Sequence, residues 1–263
     1  MSARPVPVRV ISLARAERRR GQVSAEFARL GMDFGFFDGV DGRAEEARLM
    51  GVTSPEAWRR NMGGPTAPGH LGCYASHVAL WAEIGAGADE IVLVCEDDVM
   101  LHDDFPQALA AALAVKCHWD IVRFAKVRAK LPVVQGTVGP YRLNAYVGPF
   151  TGNACYLIKR DVARRLAEEF WPIQRAHDHE LNRFFVHDIR LLGLEPFAAH
   201  AQDEGESFIT GHAMADARKF PWYRRLPYYR QKAANYLRRI AWLARHGMLW
   251  PRTRVLAQPP QMP

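Results

Sequence analysis

The sequence predicts an α/β fold, a sheet flanked by helices, followed by a basic helical tail. Three observations carry this. Residues 8–37 read as strand, helix, strand; Ile91 to Cys95 is a wholly apolar run; and cationic side chains crowd into residues 218–263. A β-α-β opening points to parallel strands joined by crossover helices. A strand with no polar face is one buried on both sides.

Taken in order, Val8 to Leu13 (VRVISL) is β-rich. Ala16 to Leu30 sets Val23, Phe27 and Leu30 on one helical face and is closed by Gly31. Phe34 to Phe37 is the second strand and runs into Asp38-Gly39-Val40-Asp41-Gly42, a turn-forming loop. A short helix is expected near 55–61, then an irregular loop through Gly63, Gly64, Pro65, Pro68 and Gly69. From Cys73 to Ile84 the spacing of Val78, Trp81 and Ile84 predicts a helix, ended by Gly85 and Gly87. Further helices are expected over 103–115, 160–170 and 176–186, and strands over 119–124 and 154–158. Residues 126–149 alternate poorly and carry several Gly and Pro, so loops and short strands are expected there. Irregular chain is expected again over 197–210.

The chain of 263 residues has 35 Lys and Arg against 28 Asp and Glu, a net charge of +7. That sum hides an asymmetry. Residues 218–263 hold eleven Lys and Arg and no acid, which leaves 24 basic against 28 acidic side chains, a net of −4, on residues 1–217. Two segments follow, a globular domain over 1–217 and a basic aromatic tail over 218–263. Asymmetry of this kind marks an anionic partner. A composition of 49% hydrophobic and 24% charged residues excludes a disordered chain. Cys73, Cys95, Cys117 and Cys155 show no CxxC spacing and read as reduced, structural thiols. The N-terminal apolar stretch is too short for a secretory signal, and no window approaches the ~18 apolar residues of a spanning helix. A cytoplasmic location is expected.

Glu96-Asp97-Asp98 follows the apolar run at once. Carboxylates at the end of a buried strand are costly unless something positive meets them, and open α/β sheets bind ligands at the carboxyl ends of their strands. In an extended segment residues i and i+2 point to one side. Glu96 and Asp98 then face one hard divalent cation, with Asp97 turned away or bonded to the backbone. The competing reading is a solvated acidic turn in which Asp98 caps the next helix.

A series of motifs stands in a fixed order: Val10-Ile11-Ser12-Leu13 with Arg15 and Arg18-Arg19, then Leu30-Gly31, then Val40-Asp41-Gly42. Gly72-Cys73-Tyr74-Ala75-Ser76-His77 follows with Trp81, then Glu96-Asp97-Asp98-Val99, Gly152 to Ile158, Asp178, and the late Gln202 and Ser207. In order and combination, over residues 8–210, they resemble glycosyltransferase family 25. Its members include bacterial lipooligosaccharide galactosyltransferases and procollagen galactosyltransferases.

The resemblance implies a GT-A-like fold, a Rossmann-type mixed sheet flanked by helices. It implies a UDP-sugar donor, usually UDP-galactose, and transfer with inversion to a saccharide acceptor of lipopolysaccharide, lipooligosaccharide or another surface glycan. The triplet then stands in for a DxD motif, with Asp98 as first metal ligand for Mn²⁺ or else Mg²⁺. Glu96 reaches the metal indirectly or holds the ribose, and Asp97 lies on the donor side. A metal bridging the phosphates stabilises the charge of a departing nucleoside diphosphate, and inversion needs one general base. Asp178 is the candidate for that base, with a structural cap or surface acid as the alternative. Arg15 and Arg18 suit phosphates or loop ordering. Asp41 contacts the nucleoside or makes the Asp-Gly turn. Ser76 and His77 face the donor, or else Ser76 caps a helix and His77 is a satisfied buried histidine. His177 and His179 do not suit zinc, because residues two apart on a helix diverge. Ser12 and Ala14 depart from the family's Asn and Asp, and His200 and His212 are the remaining histidines available as a third ligand. A non-catalytic relative that binds a nucleotide-sugar or saccharide is the alternative function.

Eight aromatics join the eleven cations of residues 218–263. On a helical projection Leu226, Tyr229, Ala233, Tyr236, Leu237, Ile240 and Ala244 share one face, and Lys232, Asn235, Arg238 and Arg239 the other. A basic amphipathic helix suits an anionic bilayer, which would set the chain peripherally on the inner face of the cytoplasmic membrane, beside a lipid-linked saccharide acceptor. The alternative is a helix docked on the body by its apolar face. Nothing in the body supports nucleic acid as a partner.

Overall fold

The opening unit forms as the sequence reads in the computed structural model, which describes residues 5–202 and 220–257. Strands β1 (Val8–Ser12) and β2 (Gly35–Asp38) pair in parallel, joined by α1 (Glu17–Arg29). Helix α1 buries Val23 and Phe27 and places Glu17 in its first turn and Arg29 in its last, with the helix dipole. Gly31, at φ 62°, then turns the chain out of the helix. Helices α2 (Glu46–Gly51), α3 (Pro55–Met62) and α4 (Pro68–Ala86) follow. Ser54 caps α3, its Oγ accepting from the Ala57 amide at 3.4 Å.

Helix α4 begins earlier than the Val78-Trp81-Ile84 spacing suggests, at Pro68, a residue suited to the first helical position. Pro68 and Gly69 lie inside it rather than in a loop. Gly85 is inside as well, and Gly87 is the cap. The chain continues with β3 (Ile91–Glu96), β4 (Val99–Leu101), α5 (Phe105–Ala114), β5 (Ile121–Arg123), β6 (Arg128–Ala129), β7 (Pro132–Val138), β8 (Tyr141–Tyr146), β9 (Phe150–Thr151) and β10 (Cys155–Lys159). Then come α6 (Arg160–Glu169), α7 (His177–Leu181), α8 (Phe184–His187), β11 (Leu191–Glu195), β12 (Ala199–Ala201), α9 (Leu226–Arg245) and β13 (Val255–Ala257). A Cβ at Gly85 would come within 2.6 Å of Arg164 Cα, so the glycine sets how closely α4 and α6 pack.

Among the described residues the main sheet has nine strands in the order β13-β7-β8-β11-β5-β10-β3-β1-β2. It is mixed: β1 runs parallel to β2 and β3, while β10 is antiparallel to both β3 and β5. Three stretches differ from expectation. Residues 132–146 are a full antiparallel hairpin, hidden because Gly136 and Gly139 interrupt the alternation. The segment 176–186 breaks into α7 and α8, and β11 enters the sheet beside β5. Part of 197–210 forms β12, which braces β4. Trp58, Trp81 and Trp119 are fully buried around this sheet, and the Trp119 indole N–H satisfies itself on the Ala112 carbonyl at 2.8 Å.

Helix α9 forms as expected and packs against α3 and α8. Its buried residues are Arg239, Trp242 and Leu243, whereas Leu226, Tyr229, Leu237 and Ile240 are exposed, Leu237 to 70%. The helix therefore docks, but not by the face that reads as apolar. Arg239 is accepted into the interface because its Nη1 donates to the Val147 carbonyl (3.0 Å) and its Nη2 to that of Asn182 (3.2 Å). Among the described residues no helix is long and apolar enough to cross a membrane.

Candidate donor and metal site

Glu96 ends β3 at the same edge of the sheet as Ser12 of β1, and its amide donates to the Ala154 carbonyl at 2.9 Å. Asp97 and Asp98 form a turn between β3 and β4 rather than continuing the extended strand. Helix α5 starts at Phe105 with Asp104 at its cap position, so Asp98 caps no helix. A cleft of about 820 Å³ opens over this edge. Its walls come from β1 and the loop after it, from the Gly39–Arg43 loop, from α4 and from all three acids of the triplet.

The three acids have different surroundings. Asp97 is held on both oxygens: Ser12 Oγ donates to Oδ2 at 2.7 Å and Arg19 Nη1 to Oδ1 at 3.0 Å. Glu96 accepts from His77 at 3.0 Å. Asp98 is the exception. Its Oδ1 is buried with no hydrogen-bond partner, and its carboxyl is pushed up to about 7 by burial and then by Glu96. Its carbonyl accepts from the Gln202 amide at 2.7 Å, which ties the late glutamine to the turn. An unpartnered buried carboxylate oxygen beside a second carboxylate is a donor set for a hard divalent cation.

Cys73, His77 and Glu96 also bring three ligand atoms within 4.8 Å of one another. That trio suits a soft metal poorly. Burial, Glu96 and the other nearby carboxylates push the Cys73 thiol well up, away from the thiolate a soft metal takes. Both His77 nitrogens are occupied. The Trp81 indole N–H can only donate, and it donates to Tyr156 Oη at 2.9 Å. The buried Tyr156 proton then has His77 Nδ1, 2.8 Å away, as its acceptor, and in that arrangement the proton of a neutral His77 sits on Nε2, facing Glu96. His77 is buried and stacked on His177 with ring centroids 4.2 Å apart.

The opposite wall is the loop carrying Asp41. Arg15 grips Asp41 Oδ2 through Nε (2.8 Å) and Nη2 (2.7 Å), and the Arg43 amide donates to Oδ1 at 3.0 Å. Burial works against the charge of Asp41, but Arg15 and these amides outweigh it and hold the carboxyl below its usual range. Ser76 lies in mid-helix, not at a helix start. Its Oγ donates to the Gly72 carbonyl at 2.7 Å and accepts from the Val40 amide at 2.8 Å, pinning the loop to α4. Backbone meets backbone here: a Cβ on Gly72 would lie 2.6 Å from the Gly42 nitrogen.

Of the residues singled out from sequence, Arg15, Asp41, Ser76, His77, Glu96, Asp97 and Asp98 line this cleft. Arg18 does not; its Nη1 donates to Gln22 Oε1 at 3.4 Å on the exposed side of α1. Asp178 lies outside the lining, near enough for its charge to help raise the Cys73 thiol, and its Oδ2 accepts from the Gly152 amide at 3.1 Å. His177 is buried and His179 exposed, so the two diverge. His200 of β12 bonds His102, just past the end of β4, at 2.9 Å, and Ser207 and His212 lie outside the described residues. Two further arginines matter here: Arg19, which the motif includes without a role, and Arg123, which no motif includes. Arg19 anchors Asp97 from across the sheet edge. Arg123 is fully buried, donating to the Phe150 carbonyl and to Asn153 Oδ1, each at 2.5 Å; burial lowers it to about 10 while Asp178 works the other way. The visible signal for Arg123 was a lone cation in the strand Ile121–Arg123.

Comparison with known proteins agrees with the motif order. The family model described as "Glycosyltransferase family 25 (LPS biosynthesis protein)" matches residues 6–181. A "Glycosyltransferase 25 family member" of Aedes aegypti is 30% identical over 170 residues, 61% of this chain and 27% of that protein. A "Probable inactive glycosyltransferase 25 family member 3" of Rattus norvegicus is 27% identical over 211 residues, 72% of this chain and 37% of that one. "Lacto-N-neotetraose biosynthesis glycosyltransferase LgtE" of Neisseria meningitidis is 30% identical over 169 residues, 61% of this chain and 59% of that protein. The aligned segments thus span less than two thirds of each of these relatives.

Proposed function

The chain belongs to glycosyltransferase family 25, and from that premise we propose that it is an inverting, metal-dependent hexosyltransferase of the GT-A type. The donor in this reading is UDP-galactose, and the acceptor is a saccharide of lipopolysaccharide, lipooligosaccharide or another surface glycan. One observation carries it: Asp98, whose buried Oδ1 has no partner, and Glu96 together line a cleft of about 820 Å³ at the carboxyl end of parallel strands.

In this reading Asp98 and Glu96 hold a divalent cation, Mn²⁺ or Mg²⁺. When bound, the cation offsets the negative charge that builds on the departing nucleoside diphosphate. Asp97 fixes the turn through Ser12 and Arg19, so the other two acids keep their direction. Arg15, Asp41 and Ser76 form the nucleoside side of the cleft, and His77 orients Glu96. The acceptor hydroxyl attacks the anomeric carbon as the bond to the diphosphate breaks, and its proton goes to Asp178. The Gly152 amide donates to Asp178 Oδ2 at 3.1 Å and holds the carboxylate in place.

A cytoplasmic chain resting on an anionic membrane, where lipid-linked acceptors lie, completes the reading. The outward stripe of α9 with its cations supports it. The experiment is release of UDP from UDP-galactose with Mn²⁺ and a soluble saccharide acceptor, with and without EDTA. Release lost with EDTA and in Asp98→Ala supports the proposal. UDP-galactose bound without turnover, with a range of acceptors present, would instead support the non-catalytic alternative, which the inactive mammalian relatives keep in play.

A further inference from the structure

At the far end of the sheet from Glu96, a second concavity of about 460 Å³ lies between the end of α9 and strands β7, β11 and β13. It shares no lining residue with the donor cleft. Arg190, Arg252, Arg254, His118 and His246 line it, and among the described residues no carboxylate does. The nearby acid Asp120 is committed to Arg190, at 2.7 Å from Nη2 and 3.1 Å from Nε. Arg252 gives one Nη2 bond to the Gly247 carbonyl at 2.5 Å, and neither it nor Arg254 has an acidic partner among the described residues. Among the described residues, two guanidinium charges are therefore left without a counter-charge.

The cavity is built rather than incidental. Gly136, at φ 157°, lets Leu256 of β13 approach where a Cβ would stand 2.5 Å from Leu256 Cγ. The Arg254 carbonyl accepts from the Thr137 amide at 3.0 Å, fixing the strand that carries the arginine. His118 is held toward its neutral form by burial and then by Arg254, Arg190 and Arg252, so the three cations act on one point. His246 Nδ1 donates to the Trp242 carbonyl at 2.8 Å, and Asp188 stands 3.4 Å from its Nε2, outside the lining.

We propose that this concavity is an anion site for a phosphate ester, separate from the donor cleft. Guanidinium groups match phosphate oxygens, and Leu192 and Leu256 give an apolar wall for the organic residue that carries the phosphate. Two sources share this chemistry, a soluble phosphate ester and a phospholipid headgroup.

The test follows the His118 ring proton by NMR in the full chain with EDTA present, the signal being assigned with His118→Gln. One arm adds glycerol 3-phosphate; the other adds phosphatidylcholine vesicles with or without phosphatidylglycerol. Bound phosphate offsets the arginine field, so the His118 signal moves and its titration midpoint rises. Arg254→Gln, at an exposed side chain, weakens the response about tenfold. A response to glycerol 3-phosphate identifies a soluble ester, and one confined to phosphatidylglycerol vesicles identifies a headgroup. No response in either arm, or an equal response in Arg254→Gln, overturns the proposal. UDP release with a soluble acceptor is measured alongside; it stays at the wild-type level in Arg254→Gln, so failure of the transferase reading would show separately.

Discussion

Replacing Tyr156 by Phe removes one buried oxygen on which two other buried groups depend. The Trp81 indole N–H donates to it at 2.9 Å, and His77 Nδ1 takes its proton at 2.8 Å. All three side chains are buried within the sheet–α4 interface, so no solvent replaces the lost partner. Leaving a buried polar group unsatisfied costs about 1–3 kcal/mol, and two such groups predict a loss of about 2–6 kcal/mol. Guanidinium denaturation followed by circular dichroism reads this as a lower midpoint at unchanged slope. The second consequence falls on the site. Without Tyr156 the His77 proton is no longer confined to Nε2, and the 3.0 Å bond that orients Glu96 loosens. Groups that orient a metal ligand typically contribute 10–100-fold to metal affinity. The Mn²⁺ concentration for half-maximal UDP release should therefore rise by about that factor, with the acceptor KM little changed. A folded Tyr156→Phe protein with unaltered stability and unaltered Mn²⁺ dependence would refute the relay.

Three further outcomes are expected. Gly72→Ala gains about 1 kcal/mol of helix propensity but sets a Cβ 2.6 Å from the Gly42 nitrogen, so stability falls and the UDP-sugar KM rises several-fold as the Asp41 loop lifts off α4. Gly51→Ala, with nothing within 4 Å, is the control and should not lose stability. Burial and His77 push His177 well below its ordinary 6.5, so the folded state binds fewer protons there than the unfolded state. That stabilisation is complete above 6.5 and declines as the pH drops below it, by at most about 1.4 kcal/mol per pH unit. Denaturant titrations at pH 7.5 and 5.5 should show a smaller difference in His177→Phe than in the native chain. Finally, Leu237→Glu on the outward stripe of α9 should reduce co-sedimentation with phosphatidylglycerol vesicles severalfold and leave UDP release with a soluble acceptor intact. Equal sedimentation of variant and native chain would remove α9 from the membrane reading.

The parts of the fold legible in the sequence are those where local pattern and tertiary burial agree. Val23 and Phe27 are spaced on α1 as they are buried, and Ile91 to Cys95 is apolar because both faces of β3 are covered. The β7–β8 hairpin escaped notice because Gly136 is there for the close approach of Leu256, and it breaks the alternation by which a strand is recognised. Helix α9 shows a different limit. Periodicity groups Leu226, Tyr229, Leu237 and Ile240 on one face, but it does not reveal which face meets the body. Carbonyls of Val147 and Asn182, far away in sequence, decide that by accepting Arg239. The site divides the same way. The triplet announces itself after an apolar strand, while the Ser12 and Arg19 contacts that set Asp97 apart span 85 and 78 residues.

That division among the three acids bears on whether the chain is a catalyst or a silent relative, a question family membership leaves open because some relatives are named inactive. Asp97 is the most tightly held of the three, and its contacts make it a structural anchor. A fold that only needed the turn would be served by Asp97 alone. Asp98 adds nothing to that turn through its buried Oδ1, which has no partner, and its carboxyl stands at about 7 because burial and Glu96 oppose its charge. Such a group lowers stability, and an asparagine or alanine in its place would relieve the repulsion from Glu96. A destabilising charge in the lining of a cleft marks a site kept for a ligand that repays it. Asp98→Asn should therefore be more stable than the native chain in EDTA and less responsive to Mn²⁺. A gain without metal joined to a loss with it is an outcome that a purely structural aspartate would not produce.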